Sequence, residues 1–65
     1  MKISYNNLWK RLIDKKIKKT ELIEQANITS NALSKLSKNE SVPLETLIKV
    51  CNVLDCKIDD IVEYE

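Results

Sequence analysis

The chain has no glycine, no histidine and no phenylalanine, and only one proline and two cysteines among its 65 residues. Each absence removes a class of function. Without histidine, the commonest metal ligand and the side chain that titrates nearest neutral pH are both missing. Without glycine there is no phosphate-cradling loop of the nucleotide-binding kind. Cys51 and Cys56 are five residues apart, which matches neither the C-x-x-C redox pattern nor the spacing of zinc ligands, so both read as reduced core residues. No run of 18 apolar residues exists, and the N-terminal MKISYNN is too polar for a signal peptide. The expectation is a soluble, intracellular, cytoplasmic protein with no membrane contact.

Average usage near 7% would place about four or five glycines in such a chain. Every position that must adopt a left-handed backbone therefore falls to another residue, and asparagine tolerates that region best. Asn27 and Asn39 stand where helices should end, so they are the predicted left-handed residues. A single domain of this length buries only about 60% of the surface exposed by its unfolded chain, which implies an economical core.

What the chain does have is helical periodicity. From Lys19 to Lys38 the apolar residues Leu22, Ile23, Ala26, Ile28, Leu33 and Leu36 mark two short helices, Lys19 to Ala26 and Ser30 to Lys38, that cross at a tight corner on Asn27. Thr29 is positioned to cap the second of them. Upstream, Ser4 reads as the N-cap of a first helix running to about Lys15. Ile3 lies in staple position against Leu8, and the apolar stripe is Tyr5, Leu8, Trp9, Leu12 and Ile13. Trp9 reads as a core residue. Pro43 fits the first position of a fourth helix whose stripe is Leu44, Leu47, Ile48, Cys51 and Leu54. Ile58, Ile61 and Val62 then mark a fifth, with Asp59 and Asp60 in its first turn. The predicted fold is all-α, a five-helix bundle in one domain spanning residues 1–65, with no strand.

Net charge is only +1, yet it is unevenly distributed. Residues 1–38 carry nine Lys or Arg against three acids, net +6, and residues 39–65 carry two against seven, net −5. Such a bipolar domain orients itself as it approaches a polyanion; the plainer alternative is a solvated surface. The third helix presents Ser30, Asn31, Ser34, Lys35 and Lys38, short polar and cationic side chains suited to a groove edge and its phosphates. The carboxylates Asp55, Asp59, Asp60 and Glu63 form the only acidic cluster. No activating partner accompanies them, and helix-dipole complementation accounts for their positions. An enzyme, a metal site, a cofactor and a small-molecule ligand are all unexpected.

These residues carry a resemblance. The layout with the helix-turn-helix in helices 2 and 3, ANITS at the turn, LSKL in helix 3, Glu40, Pro43, LETLIKVCNVL along helix 4 and the IDDIV ending are similar to the Cro/CI (XRE-type) regulators of bacteria and phages, over nearly the whole chain. The chain resembles in particular a short, single-domain branch of that family. The resemblance implies a lambda-repressor-like fold, duplex DNA as partner, a nucleoid-associated location and transcriptional regulation, with repression the expected sense. Departures are visible: Asn27 stands where the family usually has Gly, Ile23 where it has a small Ala, and Lys19 where Gln often bonds a backbone phosphate. Helix 3 would read bases in the major groove with Ser30, Asn31, Ser34 and Lys35. Phosphates would fall to Lys16, Lys18, Lys19, Thr29 and Lys38. A domain this small binds one half-site weakly, so a homodimer is expected, formed through the C-terminal segment with Ile58, Ile61 and Tyr64. The competing reading is a helix-turn-helix protein-interaction module, antitoxin-like or anti-regulator, with weak or no DNA binding.

Overall fold

The computed structural model describes residues 2–64. Four helices follow one another, α1 (Asn6–Asp14), α2 (Lys19–Ala26), α3 (Ser30–Ser37) and α4 (Leu44–Leu54), succeeded by one 3₁₀ turn at Ile58–Asp60. Two short strands, β1 (Ile3–Ser4) and β2 (Glu63–Tyr64), pair antiparallel with Ile3 opposite Tyr64 and Ser4 opposite Glu63. The structure thus corrects two expectations. The fifth helix is a single 3₁₀ turn, because only eight residues separate α4 from β2, too few for a stable α-helix once Asp55 has reversed the chain and the segment must still reach β2. The chain is also not strand-free, since its two ends meet and satisfy each other's backbone groups.

All four helices stop in the same way, with a residue in the left-handed region followed by a backbone amide that reaches back into the last turn. Lys16 (φ 57°), Asn27 (φ 54°), Asn39 (φ 57°) and Asp55 (φ 52°) occupy that position. The next amide then closes each end: Ile17 N–H donates to Leu12 O (2.9 Å), Ile28 to Ile23 O (3.2 Å), Glu40 to Lys35 O (2.9 Å) and Cys56 to Cys51 O (3.2 Å). This is the Schellman arrangement, which usually relies on glycine. Asn27 and Asn39 take the predicted role, but Lys16 and Asp55 take it too, so the left-handed positions are not reserved for asparagine.

The core gathers Tyr5, Leu8 and Leu12 from α1 and its entry, Leu22 and Ala26 from α2, Ile28 at the corner, Leu36 from α3, Val50, Cys51 and Leu54 from α4, and Ile61. The predicted stripe of α1 is too wide. At about 100° per residue, Tyr5, Leu8 and Leu12 share one direction while Ile13 points more than about 100° away from it, and Ile13 is 74% exposed. In α4 the same geometry centres burial on Val50, Cys51 and Leu54, leaving Leu44 and Ile48 exposed. Trp9 is half-buried on the flank of the core. Helix α1 begins one residue later than predicted: Tyr5 is its N-cap, while the Ser4 hydroxyl accepts from the Asn6 amide at 3.3 Å and Ile3 is in β1. Pro43 likewise caps α4 rather than opening it.

Candidate nucleic-acid interface

The basic loop between α1 and α2 is a folded turn. Lys16 reverses the chain, and Ile17, half-buried, packs against the core between exposed Lys15, Lys16 and Lys18. At the start of α2 the Glu21 carboxylate accepts the Lys18 amide (3.2 Å), fixing the first turn and the place from which Lys19 projects. The Lys19 ammonium sits 4.4 Å from the centre of the Trp9 ring, a cation–π geometry that joins α2 to α1.

At the corner, Asn27 adopts the left-handed turn and Ile28 is buried beneath it. The Thr29 side-chain oxygen then accepts the Ala32 amide at 3.1 Å, as an N-cap should. That bond uses an acceptor lone pair only, so the hydroxyl proton of exposed Thr29 is free to donate to an anionic oxygen. Around α3, Leu36 is buried and Ala32 and Leu33 are half-buried. On the opposite side Asn31, Ser34 and Lys38 lie near the centre of the exposed face, and Ser30 and Lys35 flank it within about 75°. All five are exposed. The structure therefore brings Ser30, Asn31, Ser34 and Lys35 onto one surface, with Thr29 and Lys38 at its two ends.

Asn31 and Lys35 also border a hollow of about 210 Å³ whose other walls are Thr29, Ala32, Val42, Pro43 and Thr46. No residue after Lys38 was expected on this side of the molecule. Thr46, in the first turn of α4, carries no sequence signal that distinguishes it from any half-buried helical threonine; only the tertiary placement of that turn beside Asn31 and Lys35 brings it here.

In the acidic half, Asp60 and Glu63 are engaged in structural bonds. Asp60 accepts the Lys57 amide (2.9 Å) and lies 3.8 Å from Arg11, while Glu63 accepts a bond from the Asn7 side chain. The single arginine therefore pairs within the fold, away from α3. Among the described residues, no group of three or more His, Cys, Asp and Glu side chains is arranged to hold a metal ion, and no helix is long and apolar enough to cross a membrane. Of the predicted self-association residues, Ile58 is half-buried and Tyr64 is 73% exposed, but Ile61 is 0% exposed. Ile61 is thus a core residue and has no surface to offer a partner. Ile58 and Tyr64 instead line a groove of about 610 Å³ with Ile48, Val62 and both cysteines, rimmed by Lys57 and Asp59.

Comparison with known proteins gives a consistent result. A family model for the Cro/C1-type HTH DNA-binding domain matches residues 7–65. The crystal structure of the transcriptional regulator VanUg is similar with a TM-score of 0.90 and 45% sequence identity, covering 95% of this chain and 83% of that one. Among curated proteins no match is found. With the left-handed corner at Asn27, the capped α3 and a family match that spans nearly the whole sequence, the chain belongs to the Cro/C1-type helix-turn-helix DNA-binding family.

Proposed function

We propose that this protein is a sequence-specific transcriptional regulator that places α3 in the major groove of duplex DNA and represses by occluding a promoter. The observation that carries the reading is the composition of the exposed α3 face. Asn31, Ser34, Lys35 and Lys38 lie side by side with no large apolar group among them, which suits a wet, anionic groove better than a protein partner. Asn31 reads an adenine edge and Lys35 a guanine edge, with Ser30 and Ser34 assisting. Lys16, Lys18, Lys19, Thr29 and Lys38 hold phosphates and fix the register. The likeness to a structure described as a transcriptional regulator supports the regulatory role. The helix-turn-helix domain acts in the cytoplasm, on the nucleoid, without cofactor or catalysis, and as a homodimer on a two-fold site.

The test begins by selecting a preferred site from a random duplex pool, then measures affinity against salt for that site and a scrambled one. Lys38→Ala should weaken both duplexes alike and reduce the salt slope by about one. Asn31→Ala should cost about 1–3 kcal/mol on the preferred site and little on the scrambled one. Affinity that ignores salt refutes the reading and favours a protein-interaction module; an Asn31→Ala loss equal on both duplexes refutes sequence reading by Asn31.

A further inference from the structure

We infer that Trp9 is a positioning residue for DNA binding: its ring holds the Lys19 ammonium at the start of α2, so that a phosphate meets a cation already in place. The inference rests on the proposed role of Lys19 at a phosphate and adds a residue from a different helix.

The geometry has three parts. The ring is fixed, because Trp9 is half-buried and packs on the core. The ammonium lies 4.4 Å from the ring centre, within the range at which a ring's electron-rich face attracts a cation. The lysine stem has a fixed root, because the amide just before it is bonded to the Glu21 carboxylate at 3.2 Å. Among the described residues the ion pairs are Arg11 with Asp60 and Lys49 with Glu45, so no carboxylate competes for Lys19.

A free lysine side chain loses considerable rotamer entropy when it is pinned to a phosphate. Resting on the ring spends part of that entropy before DNA arrives. An ammonium has three donor hydrogens, and a ring face occupies one side of it, leaving hydrogens directed outward for a phosphate oxygen. The ring is neutral, so unlike an acid it does not cancel the charge that phosphate must feel. The other lysines of the basic loop have no such platform among the described residues, which makes Lys19 the preorganised contact of the group.

A phosphate contact is independent of sequence, so a mixed-sequence duplex of about 20 base pairs is a sufficient probe. Four proteins are compared: wild type, Trp9→Leu, Lys19→Met and the double variant. Trp9→Leu should weaken binding about two- to fivefold in the wild-type background and leave the Lys19→Met background unchanged. Trp9→Phe, which keeps a ring, should recover most of the loss. In the DNA-free protein the Lys19 ε-methylene protons should be shifted upfield by the indole ring current, a readout that does not depend on the leucine variant folding. Equal losses from Trp9→Leu in both backgrounds, no loss in either, or Lys19 ε protons at ordinary shifts overturn the inference. If wild type shows no salt-dependent binding while the upfield shift is present, the DNA reading itself has failed and the positioning role falls with it. If wild type binds normally but the cycle shows no coupling, only the positioning role fails.

Discussion

Tyr5 is tied twice to the chain that leaves α3: its phenol donates to the Glu40 carbonyl at 2.8 Å, and its backbone amide donates to the Asn39 side-chain oxygen at 3.2 Å. The two bonds span more than thirty residues and lock the start of α1 to the turn that ends α3, so α3 is held at its far end by a buried residue from another part of the chain. Tyr5→Phe keeps the buried ring and removes only the phenolic bond. The expected cost is about 1 kcal/mol, or a fall in Tm of about 4–8 °C for a domain of this size. Thermal unfolding followed by circular dichroism checks it. An unchanged Tm would mean that the Glu40 carbonyl is equally well served by water.

Lys16 separates stability from binding. Its left-handed backbone (φ 57°) costs about 1–2 kcal/mol in a residue with a Cβ, and glycine relieves that strain while losing about 0.5–1 kcal/mol to chain entropy. Lys16→Gly should therefore stabilise the fold by about 0.5–1 kcal/mol in urea unfolding. The same variant lacks one cation of the basic loop and should bind duplex DNA more weakly, with a salt slope lower by about one. A variant both less stable and unchanged in DNA affinity would contradict the assignment on both counts.

The helix-turn-helix was legible in the sequence because its signals are local. Asn27, Thr29 and the apolar spacing of Leu22, Ala26 and Leu36 each act within one or two turns, and α2 begins and ends where periodicity places it. The strand pair was not legible. Two residues have no period to detect, and β1 and β2 exist only because the folded helices bring Ile3 to Tyr64. The width of an apolar stripe was equally hidden, since Ile13 and Leu12 are alike as residues and differ only in what the other helices cover. The same reason separates Ile61, sealed in the core, from Tyr64, which projects from it. The α3 face was readable as polar and cationic; Thr46 beside it and Trp9 beneath Lys19 were not, because each arrives from another helix.

Alkaline stability should depend on Cys51. Burial pushes its thiol up from 9.0 to about 11, helped by the neighbouring Cys56, and burial also raises the Tyr5 phenol. In the unfolded chain the Cys51 thiol deprotonates near 9.0, while in the fold it keeps its proton to about 11. Between those values the native state binds more protons than the unfolded one, so stability declines as pH rises. The contribution is complete below pH 9 and lost as pH passes through about 11. Urea midpoints measured from pH 8 to 11 should fall less steeply for Cys51→Ala than for wild type once each is referenced to its own value at pH 8. Parallel curves would show that the thiol plays no part in alkaline unfolding.

The groove beside the C-terminal strand is the surface on which a second copy of the chain should dock. It contains no residue of α2, α3 or the basic loop, so filling it leaves the α3 face proposed to read DNA free. Its lining joins exposed Ile48 and Tyr64 to half-buried Ile58 and Val62, and Lys57 and Asp59 on the rim can pair reciprocally across a two-fold axis. Two copies reading one face of the duplex would place their recognition helices about 34 Å apart, one helical turn. Removing a central aromatic from such an interface costs at least about 1–2 kcal/mol, so Tyr64→Ala should weaken dimerisation about tenfold. Ile48→Lys, which sets two cations against each other across the axis, should abolish it. Sedimentation equilibrium from micromolar to near-millimolar protein, with and without the selected duplex, reads both effects. A strict monomer in free and DNA-bound protein would exclude the dimer, and a dimer indifferent to Tyr64→Ala and Ile48→Lys would place its interface elsewhere.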